Sequence, residues 1–198
     1  MIIGVDFDNT IANYTGVFYQ VALDLGWIPK QTGKSKQDVK QYFISQDNEK
    51  KWTELQGIVY GKEISNAKPY PESLTHLKAL KAQGHQLKLI SHKTKYPIIG
   101  DKVNFHDAAR GWLEAHGFVN CPNAPFDPEH VFFNETKDKK VMLIDSLACD
   151  FFIDDLESIL LHKHFPTACQ GILFSPDKVS QSSHLQAQAW TQIPALIV

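Results

Sequence analysis

Cysteine is scarce in this chain: three among 198 residues, at Cys121, Cys149 and Cys169. An odd number without metal-ligand spacing argues against a disulfide framework and points to reduced thiols in a cytoplasmic protein. Neither sign of charge is in excess, with 20 Lys and Arg against 22 Asp and Glu, so no global field directs the chain to nucleic acid or to an anionic membrane. No apolar segment is long enough to span a bilayer. The first apolar run is interrupted by Asp6 and Asp8 too early for a signal peptide. Internal repeats and low-complexity segments are absent. The expectation is a soluble cytoplasmic protein whose 43% hydrophobic content supports one domain with an insertion or a small companion.

What is present is concentrated at the start. Ile2 to Val5 is a short β-branched run that breaks into Asp6-Phe7-Asp8-Asn9-Thr10, the pattern of a buried strand and its end. Alternation along an extended chain puts Asp6 and Asp8 on one side. Two acids held there repel, and desolvating them costs several kcal/mol each, about the scale at which a cation or a reaction is required to offset it.

Strand and helix patterns then divide the chain. Residues 13–68 hold three helical stretches: about Thr15 to Trp27, from an N-cap at Ser35 to about Ile44, and about Asn48 to Tyr60 before Gly61. From Pro69 the pattern alternates. A helix opened by Pro71 and Glu72 carries Leu74, Leu77 and Leu80 inward. A strand from Gln86 to Ile90 ends at Ser91. A helix runs from Asn104 to Gly117, a strand from His130 to Phe133 and a helix from Thr136 to Leu147. A strand from Asp150 to Ile153, a helix from Leu156 to His162 and a strand from Gly171 to Phe174 complete the pattern. The tail after Ser175 is polar until Trp190. Alternating elements imply an α/β fold, a Rossmann-like parallel sheet with helices on both faces. Right-handed crossovers place all strand carboxyl ends on one edge, where such sheets bind ligands. Asp6, Ser91 and Asp154 all sit at such ends.

Asp6-Phe7-Asp8-Asn9-Thr10 resembles the first signature of the haloacid dehalogenase (HAD) superfamily, and matches to its other signatures follow in order. The resemblance implies a core of residues 1–12 and 69–198 with an inserted helical cap at 13–68, in which Tyr14, Trp52, Gln56 and Tyr60 are candidate substrate contacts. It makes Asp6 the nucleophile and Asp8 the general acid/base. That second acid points to phosphoryl transfer, since halide leaves without protonation. Ser91 matches the second signature, whose hydroxyl orients a phosphoryl oxygen. The third-signature lysine lies in Thr136-Lys137-Asp138-Lys139-Lys140; Lys137, beginning the helix, is preferred, with Lys140 the alternative. Asp154-Asp155 matches the acidic fourth signature, with Asp154 a direct metal ligand and Asp155 holding a water or the lysine. Mg²⁺ is the implied cation, bound by Asp6, the Asp8 carbonyl and Asp154. Asn9, Thr10, Ser91, His92 and Lys93 form the expected substrate-binding set, the last two through a second anionic group.

The resemblance thus implies a Mg²⁺-dependent phosphomonoester hydrolase acting through an aspartyl-phosphate on a small phosphorylated metabolite, a sugar phosphate or a nucleotide. The alternatives are a nucleotidase or nucleic-acid end phosphatase, and a non-catalytic phosphate- or partner-binding module of the same fold.

Overall fold

The computed structural model of the protein describes residues 1–177 and 184–197. In chain order the elements are β1 (Ile2–Val5), β2 (Ala12–Asn13), α1 (Val17–Asp24), α2 (Lys36–Ser45), α3 (Glu49–Tyr60), β3 (Lys68–Pro69), α4 (Ser73–Ala82), β4 (Gln86–His92), α5 (Phe105–Ala115), β5 (Val131–Asn134), α6 (Lys137–Ser146), β6 (Phe151–Asp154), α7 (Glu157–Leu160), β7 (Gln170–Phe174) and β8 (Leu185–Ala187). They fall into two compact units. One comprises Met1–Ala12, Pro69–Lys93 and the chain from Leu113 onward; the other comprises Asn13–Lys68 and Thr94–Trp112.

The first unit is built on a six-stranded sheet in the order β5-β4-β1-β6-β7-β8. Every described pairing within it is parallel. Its central strands are buried on both faces, so they read as nearly unbroken apolar runs. Gly4 in β1 permits close approach of β6: a Cβ there would stand 2.5 Å from the Phe152 ring. Phe152, Ile90, Val141, Ile144, Ile159 and Leu173 pack into one apolar cluster. The strand order reverses at β1, with β4 on one side and β6 on the other. The carboxyl ends of these three adjacent strands therefore form the crevice where ligands bind in open α/β sheets.

The second unit is helical. Ser35 caps α2 with a reciprocal box to Asp38, and Asn48 caps α3. Tyr14, Phe18, Trp52 and Tyr60 interlock: Phe18 and Trp52 lie 5.2 Å apart by ring centroids, and Tyr14 meets Tyr60 edge-on at 5.1 Å. Tyr14 and Trp52 are buried in this cluster, so both serve as packing. The unit is larger than residues 13–68 because 94–112 cluster with them. The Trp112 indole donates to the Ala67 carbonyl at 2.8 Å, Lys62 pairs with Asp101, and Phe105 packs on Tyr60.

Most expected elements form within one or two residues of the expected bounds. The helix expected from Leu156 to His162 is shorter, as the one-turn α7. The polar tail holds more structure than its composition suggests, with β8 and a 3-10 stretch, Trp190–Leu196. Trp190 is fully buried, and its indole donates to the Thr10 carbonyl at 2.9 Å. Residues 178–183 of that tail, and Val198 at the end of the expected core, lie outside the described residues. Among the described residues no helix is long and apolar enough to cross a membrane.

Candidate active site

The loop after β1 is shaped by backbone hydrogen bonds to one carbonyl. Phe7 O accepts from Ile11 N at 3.0 Å and Ala12 N at 2.9 Å, and Asn9 takes the left-handed conformation (φ 57°) that asparagine tolerates. Phe7 is buried in the core, while the carboxylates of Asp6 and Asp8 each meet a buried lysine. The Thr10 hydroxyl lies 3.4 Å from Asp6 Oδ2 and the residue is wholly buried. Thr10 thus faces the carboxylate of Asp6. Asn9 is partly exposed on the loop.

Lys140 closes the centre of the site. Its Nζ stands 2.6 Å from Asp6 Oδ1 and 2.6 Å from Asp154 Oδ2, with the lysine side chain 1% exposed and that of Asp154 0%. The preference for Lys137 is therefore corrected. Lys137 begins α6 and points its Nζ to the exposed Ser158 hydroxyl at 2.9 Å. Lys140, one turn on, lies on the buried side of the helix with Val141 and Ile144. Lys140 shares its face with Ile144, four residues on and packed in the core, whereas Lys137 lies one turn nearer the start of the helix.

The acidic pair also divides differently from the expectation. Asp154 is engaged at both oxygens, by Lys140 at Oδ2 and by the Leu156 backbone N–H at 2.8 Å on Oδ1. The Asp155 carboxylate makes no hydrogen bond among the described residues. Ligand oxygens of Asp6, Asp154 and Asp155 lie within 4.8 Å of one another.

Burial pushes the Asp6 carboxyl up to about 7 against the pull of Lys140, and Asp154 and Asp8 add to the rise. Burial, then the charges of Asp154 and Asp6, push Asp155 well above the carboxylate range. Burial alone would lower the Lys140 ammonium, but Asp154 and Asp6 outweigh it and hold it above the ordinary lysine range.

On the other side of β1, Lys93 follows β4 and grips Asp8, with Nζ 2.8 Å from Oδ2 and 3.1 Å from Oδ1. Ser91 is buried and its Oγ has no hydrogen-bond partner among the described residues. A buried hydroxyl is normally satisfied, so an unpaired one at a strand end is a place for a ligand oxygen. His92 is half-buried, and burial followed by Lys140 lowers its pKa, so the ring is neutral at neutral pH.

Four carboxylates, Asp6, Asp8, Asp154 and Asp155, thus face two buried ammonium groups, Lys93 and Lys140. With all four ionised, two negative charges are left over. A divalent cation fits this oxygen-rich donor set by charge and by ligand type.

A second trio, Asp138, His162 and His164, also brings ligand-type atoms within 4.8 Å, although the histidines show no ligand pattern in the sequence. His162 Nδ1 accepts from the His164 N–H at 3.3 Å, which leaves its Nε2 proton for Asp138 Oδ1 at 3.1 Å. The ring is satisfied by hydrogen bonds.

No family model and no curated protein matches the sequence. Solved structures do match the fold. The chain is similar to a predicted phosphoglycolate phosphatase from Haemophilus somnus 129pt (17% identity, TM-score 0.62, covering 100% of this chain and 97% of that one). It is similar also to a HAD hydrolase, family IA, variant 3, from Entamoeba histolytica HM-1:IMSS (11%, 0.61, 97% and 94%). A third is a phosphoserine phosphohydrolase-like protein from Francisella tularensis subsp. tularensis SCHU S4 (16%, 0.56, 99% and 99%). The protein has the α/β, Rossmann-like fold of the HAD-superfamily hydrolases.

Proposed function

We propose that the protein is a Mg²⁺-dependent phosphomonoester hydrolase acting through an aspartyl-phosphate at Asp6 on a small phosphorylated metabolite. The observation that carries this reading is the convergence of Asp6, Asp154 and Asp155 with Lys140 at adjacent strand ends.

In the first step an Asp6 carboxylate oxygen attacks phosphorus, the bond to the leaving oxygen breaks, and Asp8 supplies that oxygen with a proton. In the second step Asp8 takes a proton from water, which attacks phosphorus and returns Asp6 as carboxylate with release of inorganic phosphate. The Ser91 hydroxyl donates to a phosphoryl oxygen and orients it for in-line attack. Lys140 neutralises Asp6 and the incoming phosphoryl group. Asp154 holds Lys140 in place. Asp6, Asp155 and the Asp8 backbone carbonyl would hold the metal, which supplies charge screening between carboxylate and phosphate dianion. Asp155 takes the ligand role in this proposal because Asp154 is already committed to Lys140 and Leu156. The helical unit, 13–68 with 94–112, serves as the cap, and work in the cytoplasm accords with the composition.

Phosphate release from sugar phosphates, nucleotides and an aryl phosphate, with Mg²⁺ or with chelator, tests this reading. Release that requires both Mg²⁺ and Asp6 is the expected result. Release that persists in Asp6→Asn protein overturns the nucleophile assignment, and silence across the panel overturns the proposed activity on these substrates.

A further inference from the structure

Lys93 follows the strand-end Ser91 by two residues, where the sequence suggests a group presented to a second substrate anion. Its surroundings argue for a different role. The side chain is 3% exposed and its Nζ grips both oxygens of Asp8, at 2.8 and 3.1 Å. Its backbone N–H donates to the Asn134 carbonyl at 2.9 Å, which ties the start of the loop to the end of β5. Its ammonium also lies 5.4 Å from the centre of the Phe7 ring, the residue between the two acids. A cation held this way is committed inside the protein.

A buried ion pair is not a cheap way to gain stability, because apolar residues of similar volume often do as well. The site already has a second buried lysine, and the two divide the acids between them. Lys140 takes Asp6 and Asp154, and Lys93 takes Asp8. Asp8 is the one of these three acids whose side chain retains appreciable exposure, at 19%. It is therefore gripped by the lysine and still open at one edge.

We propose that Lys93 is a positioning residue: it fixes the Asp8 carboxylate in the orientation needed to protonate the leaving oxygen and then to take a proton from water. This rests on the phosphohydrolase reading above. A carboxylate on a loop samples several rotamers, and proton transfer requires it within hydrogen-bond reach of the departing oxygen. Two bonds to one ammonium remove that freedom. The benefit falls on esters whose leaving group cannot depart unprotonated.

The test compares full-length, Mg²⁺-loaded wild type, Lys93→Met, Lys93→Arg and Asp6→Asn on a simple alkyl phosphate and on 4-nitrophenyl phosphate. General acid catalysis typically contributes 10²–10⁴-fold, so Lys93→Met is expected to lower kcat on the alkyl ester by about 100-fold. The loss on the aryl ester is expected to be about tenfold smaller, with KM shifting by less than about threefold on either. Lys93→Arg, which keeps a cation, should recover most of the difference. If Lys93→Met fails the circular-dichroism and thermal-unfolding check, Lys93→Arg alone provides the alkyl-to-aryl ratio, expected to fall in the same direction but less.

Equal losses on both esters would make Lys93 a structural lysine and overturn the proposal. A rise in KM confined to substrates carrying a second anionic group would return it to substrate binding and overturn the proposal equally. Wild-type silence, or turnover that survives Asp6→Asn, would instead remove the phosphohydrolase reading and this inference with it.

Discussion

Lys140 and Lys137 lie three residues apart on α6, and their removal should have very different consequences. Lys140 is buried between two carboxylates at 2.6 Å from each. Lys140→Met leaves Asp6, Asp154 and Asp155 with no ammonium among them. Removing one partner of a buried pair costs about 3–5 kcal/mol, and the unrelieved acids here place the cost toward the upper end. At about 2–4 °C per kcal/mol for a chain of this size, the midpoint should fall by about 6–20 °C at neutral pH. Lys137 makes one bond to an exposed serine hydroxyl, so Lys137→Met should stay within about 0.5 kcal/mol of wild type. The loss in Lys140→Met should be smaller at pH 5 than at pH 8. Without the lysine the buried acids hold protons more tightly, and lower pH supplies them. Thermal unfolding of both variants in chelator, at both pH values, is the assay, and phosphate release is read on the same preparations. Similar small shifts for both, or a larger loss in Lys137→Met, would refute the assignment of Lys140 to the centre of the site.

Further predictions concern the acids and the thiols. Asp6 is raised from 3.8 to about 7, so the folded state binds its proton more tightly than the unfolded state. Its stabilising contribution is full below about pH 4 and lost as pH rises through about 7. Chemical denaturation in chelator should show that fall in wild type and much less of it in Asp6→Asn, and an unchanged difference between them across pH would count against it. Asp155→Asn should weaken Mg²⁺ binding by calorimetry while sparing the fold, whereas Asp154→Asn should lower thermal stability; the reverse pattern would restore Asp154 as the principal ligand. Burial pushes Cys149 up to about 11 and Cys169 up to about 12, so Cys121, which is partly exposed, should be alkylated first under native conditions. Faster labelling of either buried thiol by peptide mass mapping would contradict this.

Much of the fold was legible in the chain because its signals are local. The apolar run before Asp6, the alternation of strands and helices after Pro69, the cap at Ser35 and the helix starts near Asn48 and Thr136 follow from periodicity and turn chemistry over a few residues. The strand ends bearing Asp6, Ser91 and Asp154 could be named for the same reason. Tertiary structure decided what depends on facing rather than on spacing. Which lysine of Lys137, Lys139 and Lys140 turns inward depends on the phase of one helix against the sheet, which three cations in four residues leave open. Whether Asp154 or Asp155 carries the lysine depends on where Lys140 arrives. The burial of Trp190 against the Thr10 carbonyl, across 180 residues, and the grip of Lys93 on Asp8, across 85, are long-range pairings with no local signature. The sequence by itself determined which chemical groups stand at the strand ends, and the packing of the chain decided which partner each of them holds.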